Sequence, residues 1–476
     1  MVHLAVVDIA LILAFFSVIV AVGFRARRRI DPSTTEFLLA GRTLTLPVFV
    51  ATLVSTWYGG ILGIGEFSYQ YGLSNWIVFG MPYYVFALVF ALLIAKRARA
   101  TNLFTIPDKL FISYDKKTSL FGAVLTFILV SPAALALMLG ILIRLIFGLS
   151  LEAGTMISTL VTVIYLFSGG FRSDVAVNIV EFVVMFVGFA IVLPFAYSMY
   201  GGVAFLQSHL PPLHLTWHGG NSMQYILVWF FIALWTLVDP SFHQRCYAAK
   251  DGATAQRGIF VSIGFWFLFD FLTSAAGLYA RAILPDLKEP AFAYPMLAEA
   301  VLPPVAKGLF YIGMLATIMS TLSSYTFVAG VTFGNDIMGR LISFPDERER
   351  ELGIRRWTKA GILLAGILAV VLALTMPSVV KLWYVIGTCI IPGLLVPVIA
   401  SYFERLKITA AFAFASMCAG FFGSTAWLIL GQVAHGVSFL GIEPMYPGLI
   451  LSMLIWGMGR IHSVSQRRIA LRGIEQ

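Results

Sequence analysis

The feature that most limits what this chain can fold into is a series of thirteen apolar segments, with basic side chains confined almost entirely to alternate loops. Crossing ~30 Å of hydrocarbon takes about 20 mostly apolar residues, and most of these segments reach that length. With 59% hydrophobic and only 12% charged residues, the 476-residue chain cannot clothe a water-soluble globule. Barrel strands would read as alternating segments of about ten residues, which the sequence lacks, so the spans are expected to be helices. They are predicted at 4–24, 46–70, 74–97, 119–148, 153–170, 175–200, 222–246, 255–285, 305–338, 355–377, 380–403, 407–433 and 440–460. The expected fold class is an all-α polytopic membrane protein with 13 transmembrane helices. The first span reads as retained rather than as a cleaved signal peptide. Its apolar run is too long, and Arg25, Arg27, Arg28 and Arg29 follow it without a small-residue cleavage site.

Of the 32 Lys and Arg residues, all but Arg144, Arg281, Lys288, Lys307 and Lys381 fall on the side reached after the first span. The positive-inside rule then places the N-terminus outside and the C-terminus in the cytoplasm of a plasma (inner) membrane, which requires an odd number of spans. The net charge of +9 becomes an orientation signal with an affinity for anionic inner-leaflet lipid. Nucleic acid is not an expected partner, because no basic patch is interleaved with solvent-facing aromatics. Cys246, Cys389 and Cys418 are too scattered for a disulfide framework or a thiolate metal site. His209, His214 and His218 sit in the longest exterior connector, about 201–221, where three imidazoles could bind zinc or be unrelated loop residues. Asp346–Arg356 reads as a solvated charge run. No H-E-x-x-H or G-x-S-x-G arrangement points to an enzyme, and no catalytic residue or cofactor is expected.

Two spans carry interruptions. The second contains Trp57-Tyr58-Gly59-Gly60 followed by Gly63, Gly65 and Glu66, poor material for a lipid-facing helix because glycine weakens a helix by ~1 kcal/mol relative to alanine. The seventh contains Trp235-Thr236-Leu237-Val238-Asp239-Pro240, where proline removes a hydrogen bond and frees a carbonyl. Matching breaks five spans apart suggest an inverted repeat of five helices plus five, with a binding site between them at mid-membrane. Close packing of small residues is the competing account of the glycines. In the ninth span, Ser320 and Thr321 can present two hydroxyl oxygens to one cation, with Thr317 one turn earlier; they can equally bond back to their own helix. The intramembrane ionisable residues are Glu66, Arg144, Glu181, Asp239, Asp270 and Arg281, of which Glu66 and Asp239 are the main candidates for solute contact, gating or proton coupling.

Several stretches together resemble the sodium:solute symporter family over nearly the whole chain. They are Phe37-Leu38-Leu39-Ala40-Gly41-Arg42, the Gly63–Leu73 segment, Ser168-Gly169-Gly170-Phe171-Arg172 with Glu181 following, Gln244-Arg245 leading to Ala248-Ala249-Lys250, and Met319-Ser320-Thr321-Leu322-Ser323-Ser324. The resemblance implies a leucine-transporter (LeuT) type core. Residues 4–24 would be a peripheral helix, 46–200 the first repeat, 222–403 the inverted second repeat, 407–460 two further peripheral helices and 461–476 a cytoplasmic tail. It implies sodium as coupling ion, held by the carbonyls of Leu53, Thr56 and Thr317 and the hydroxyls of Ser320 and Thr321. Asn178 stands where several members place an aspartate on the ion path, with Glu181 beyond it, and Ser55 stands where some place an acid.

For the solute, the candidates are Trp57, Tyr58, Gly60 and Glu66 from one break and Trp235, Thr236 and Asp239 from the other. The lack of a basic residue at the breaks disfavours a polyanion. The function expected is sodium-coupled symport of a small organic solute into the cytoplasm. One alternative is a proton-coupled transporter of the same fold using Glu66, Glu181 or Asp239. A more distant one is a transporter-like sensor, which the short stretch after the last span disfavours.

Overall fold

A computed structural model of the chain describes residues 2–27, 33–376, 378–433 and 439–472. Arg28 and Arg29 of the first basic cluster, the end of the tenth predicted span at residue 377 and the tail beyond 472 lie outside the described residues. The principal helices are α1 (Val6–Arg27), α2 (Leu46–Trp57), α3 (Ile61–Tyr71), α4 (Met81–Leu93), α5 (Lys116–Leu129), α6 (Ala133–Phe147), α7 (Leu151–Tyr200) and α8 (Met223–Ile232). They continue as α9 (Trp235–Val238), α10 (Pro240–Ala248), α11 (Gly252–Ile283), α12 (Ala306–Val331), α13 (Glu347–Thr375), α14 (Val379–Ser401), α15 (Ala410–Val433) and α16 (Met445–Arg472).

Among the described residues, ten helical stretches are long and apolar enough to cross a membrane, and the bent pair α2–α3 brings the number to as many as eleven. A shorter apolar helix, Leu151–Phe167, and α16 stand where the other two spans are expected. Burial separates centre from periphery: the most apolar window of the stretch that begins with α12 is 94% buried, whereas that of α1 is 28% buried and presents its apolar face outward. A helix apolar all round and enclosed on every side is a core helix. α12 is therefore the post around which α2, α7 and α10 pack.

Local boundaries differ from the sequence reading for physical reasons. The single span expected at 119–148 is interrupted between α5 and α6, where Pro132 cannot donate a backbone hydrogen bond. The spans expected at 153–170 and 175–200 run together as α7, separated only at Gly170 with φ +57° and ψ −150°. That conformation belongs almost exclusively to glycine. A Cβ there would also lie 2.6 Å from the Phe37 ring and 2.7 Å from the Phe37 carbonyl. Gly170→Ala is therefore expected to destabilise the protein by ~1–3 kcal/mol or more, read as a lowered thermal unfolding midpoint; an unchanged midpoint would contradict this account of the bend.

The charge run at 346–356 is not a free loop, since Asp346 caps α13 by accepting from the Glu349 N–H at 2.8 Å and the run forms its first turns. The expected tail is likewise helical through Arg472 as the end of α16. The connector at 201–221 is not merely solvated either. Its His214 is buried, with Nε2 3.0 Å from the Tyr69 carbonyl, and the Leu73 N–H donates to the His214 carbonyl at 2.8 Å. Burial, reinforced by nearby Arg281, pushes the His214 imidazole pKa below its usual value. His209 and His218 turn to separate local partners, the Phe205 carbonyl and the Gly220 N–H. Among the described residues, no group of three or more His, Cys, Asp or Glu side chains could hold a metal ion.

At the opposite end the two broken spans are stitched together. The Leu44 N–H donates to the Ala248 carbonyl and the Lys250 N–H to the Leu44 carbonyl, each at 3.1 Å. Arg42 adds hydrogen bonds to the carbonyls of Tyr247, Asn102 and Leu103.

Candidate functional site

The second predicted span does break. α2 ends at Trp57, α3 starts at Ile61, and their axes differ by 60°. A helix end leaves the carbonyls of its last turn without intrahelical partners, and here those carbonyls meet α12. Thr321 Oγ1 donates to the Thr56 carbonyl at 2.6 Å. Ser320 Oγ lies within donating distance of the Ser55 carbonyl (2.8 Å) and of the Thr317 carbonyl (3.0 Å). Gly59 permits the approach, because a Cβ on it would lie 2.5 Å from the Thr321 side chain and 2.6 Å from Leu135.

Thr56, Thr317, Ser320 and Thr321 thus converge in a buried cluster. Leu53 is buried one turn earlier on α2, and Ser55 supplies the carbonyl that faces Ser320. Ser320 reaches across to α2 as well as back to its own helix, and Thr321 reaches across to α2. Such a set of neutral oxygens suits a small alkali cation, which needs oxygen ligands but no formal counter-charge.

The second break lies at Asp239, which is extended at φ −66° and ψ 119° between α9 and α10. Its Oδ1 accepts from the N–H groups of Ser241 (2.8 Å) and Phe242 (3.0 Å), a helix cap with proline in the first turn. Its Oδ2 accepts from Trp235 Nε1 at 3.2 Å and the Tyr325 hydroxyl at 2.8 Å. The carboxylate is fully employed in holding the break and two aromatic rings in place.

Between the breaks is a cavity of about 130 Å³. Of the seven solute candidates, Trp57, Tyr58, Gly60 and Trp235 line it. Glu66 is on α3 but does not face the cavity, Thr236 is buried away from it, and Asp239 acts from behind Trp235 and Tyr325. Sequence reasoning missed most of the remaining wall: Trp229 of α8, Trp266 of α11, Trp383 of α14, and Tyr83 and Tyr84 of α4; Asp270 of α11, noted in the sequence as an intramembrane acid but not as a solute candidate, lines it too. The four-residue spacing of Trp266 and Asp270, which puts both on one helix face, was the available signal. Ser131, in the unforeseen α5–α6 break, also lines the cavity. So does Thr321, one hydroxyl of the oxygen cluster, so the two sites share a side chain.

Below the oxygen cluster lies an ion pair that the sequence reading did not single out. Arg245 of α10 and Asp174 of α7, both with fully buried side chains, are 3.2 Å apart. Arg245 also donates to Ser324 Oγ at 2.6 Å and Thr56 Oγ1 at 2.9 Å. Asp174 accepts from Ser323 and Ser324, and Asn178 Nδ2 donates to Asp174 at 3.2 Å and Ser324 at 3.1 Å. Asn178 therefore adjoins a carboxylate one turn earlier on its own helix. Glu181 is fully buried, and neither of its carboxyl oxygens has a hydrogen-bond partner.

The sodium:solute symporter family profile matches residues 37–420. The chain is 26% identical to the sodium/pantothenate symporter of Escherichia coli (strain K12) over 94% of its own length and 95% of that protein. It is also 26% identical to high-affinity choline transporter 1 of Drosophila melanogaster, over 92% of this chain and 72% of the other. Among solved structures, a Na+-coupled sialic acid symporter in a substrate-bound outward-open state superposes with a TM-score of 0.75 at 15% identity, covering 96% and 97% of the two chains. Mhp1, a nucleobase-cation-symport-1 family transporter, superposes with a TM-score of 0.58 at 13% identity, covering 90% and 95%. These two share the fold, a LeuT-like transporter architecture. With interrupted helices meeting a hydroxyl pair and the family profile spanning most of its length, this multi-pass membrane chain belongs to the sodium:solute symporter family.

Proposed function

We propose that the protein imports a small organic solute with sodium by alternating access, through a core of five plus five inverted helices (46–200 and 222–403). Flanking helices, one at 4–24 and two within 407–460, complete thirteen spans. The relative named sodium/pantothenate symporter supports sodium coupling, and the relative named for choline differs from it in solute. The observation that carries the reading is the shared residue: Thr321 reaches the Thr56 carbonyl on one side and lines the cavity on the other.

A sodium ion would take the oxygens of Ser320 and Thr321 and the carbonyls of Thr56 and Thr317, with Leu53 from the preceding turn. The hydroxyls already meet these carbonyls in pairs, and turning their lone pairs to a cation needs no movement of either helix. Ion binding would hold α2 against α12 and fix the position of Thr321, so that the ion stabilises the wall of the solute cavity to which this side chain belongs. Asn178 and Glu181 would mark the route by which the ion leaves.

The stitched end carries Arg42, Arg99 and Lys250, which the positive-inside rule assigns to the cytoplasm. Under that orientation the N-terminus is outside, the C-terminal tail (461–476) is cytoplasmic, and the inner side of the site is closed. The driving force suffices: one charge gains ~2.3 kcal/mol per 100 mV and ~1.4 kcal/mol per tenfold gradient. Together these support roughly 500-fold accumulation for one ion.

Radiolabelled sodium bound to purified protein in lipid nanodiscs tests the reading. Saturable binding displaced by unlabelled sodium, and not by potassium or by acidification with a matched salt, is the expected result. Absence of saturable sodium binding would remove the proposal.

A further inference from the structure

The cavity wall is unusual in its chemistry. Five tryptophans face it, at 57, 229, 235, 266 and 383, joined by Tyr58 in the break after α2 and by tyrosines of α4 and α12. The only ionisable carboxylate among the lining residues is Asp270, and no Lys, Arg or His lines the cavity. Asp270 is 2% exposed, accepts a hydrogen bond from the Tyr84 hydroxyl, and has no ion-pair partner among the described residues. The other two buried acids near the breaks are provided for. Asp174 has Arg245, and Asp239 has a helix N-terminus, an indole and a phenol.

A carboxylate held in an apolar wall is unfavourable unless a counter-charge reaches it. Aromatic faces are rich in negative electrostatic potential, and a desolvated cation over them is attracted without shedding its charge to a hydrogen bond. Rings of this kind recognise alkylated ammonium groups, whose methyls cannot be bound as donors. Two further lining groups have no hydrogen-bond partner, Ser131 Oγ and the Trp266 indole. Trp266 is 1% exposed, and its indole N–H has no partner. It stands one helical turn from Asp270 on the same wall, so an occupant that carries a hydrogen-bond acceptor beside its cationic centre would offer a partner to both.

Resting on the reading of this cavity as the solute site, we propose that the solute is a small organic cation. It would be an alkylated ammonium carrying one acceptor oxygen, its charged head enclosed by the aromatic rings within reach of Asp270 and its oxygen at Trp266. A cavity of about 130 Å³ is small beside the ~300 Å³ or more that holds a drug-sized ligand, which limits the solute to a few carbons beyond its head.

The test compares choline with its neutral isostere 3,3-dimethyl-1-butanol, in which carbon replaces the ammonium nitrogen, by tryptophan-fluorescence titration of purified protein in sodium. Choline is expected to change the fluorescence saturably, and the isostere to bind about tenfold or more weakly. Asp270→Asn is expected to weaken choline by a similar factor and to leave the isostere unaffected. Trp266→Phe, which keeps the aromatic wall, should weaken both ligands equally because both carry the hydroxyl. Equal affinity for the two compounds, or no response to choline, overturns the cation assignment. Radiolabelled-sodium binding measured on the same sample separates the two failures. Sodium binding that persists without a choline response removes only the solute class, whereas loss of sodium binding removes the symport reading with it.

Discussion

Replacing Ser320 and Thr321 together by alanine is expected to abolish the extra thermal stability that sodium confers over potassium, while the protein remains folded. The two hydroxyls reach across to the Ser55 and Thr56 carbonyls at 2.8 and 2.6 Å. They are the only side-chain oxygens in the proposed ligand set. A hydrogen-bonding group facing a full charge is worth ~1.5–3 kcal/mol, so losing both should lower sodium affinity by ~100-fold or more. The potassium-state midpoint should fall modestly, since two carbonyls lose their partners. Thr326→Ala is the matched control. Its hydroxyl donates to the Leu322 carbonyl within α12 and makes no bond to α2, so the sodium shift should survive. An undiminished shift in the double variant would dismiss these ligands.

A second large effect is expected at the buried ion pair. Arg245→Met alone, or Asp174→Asn alone, should destabilise the protein by ~3–5 kcal/mol, because either change strands a charge where water cannot reach it. Removing both charges with Arg245→Met and Asp174→Leu should recover much of that loss, as replacing a buried pair by apolar side chains often does. Thermal unfolding of the three proteins in the same detergent provides the measurement. Single variants as stable as the parent would mean that the pair is neither dry nor intact. The double variant should nevertheless transport poorly. Arg245 also holds Thr56 Oγ1 and Ser324 Oγ, which position the broken helix against α12.

Much of this architecture could be read from the chain because a bilayer narrows the possibilities. An apolar stretch of sufficient length must be helical there, since every backbone donor and acceptor has to be satisfied within the protein. Glycines and proline inside such stretches then mark where the ladder fails, which is how Gly59–Gly60 and Asp239–Pro240 were found. Helical spacing likewise put Thr317, Ser320 and Thr321 on neighbouring turns of one helix.

The α5–α6 break was harder to see. Leu129 to Leu135 contains one Ser-Pro pair, Ser131–Pro132, in an otherwise apolar run, and a lone proline is also compatible with a mere kink. Asp174 was passed over for a related reason. On the sequence it is one acid in a Gly-rich segment, and only its distance to Arg245, 71 residues away, reveals a pair.

The chain alone determined the solvent, the helical spans and the places where two of them must open, because those follow from local composition and from a helix's need to pair its own backbone. Tertiary structure decided which side chains share a wall. Trp229, Trp266, Asp270 and Trp383 lie on three helices far apart in sequence, and no local periodicity states that they converge. It likewise decided the uses of Asp239 and Glu66, for a carboxylate's role depends on which donors and cations surround it in space.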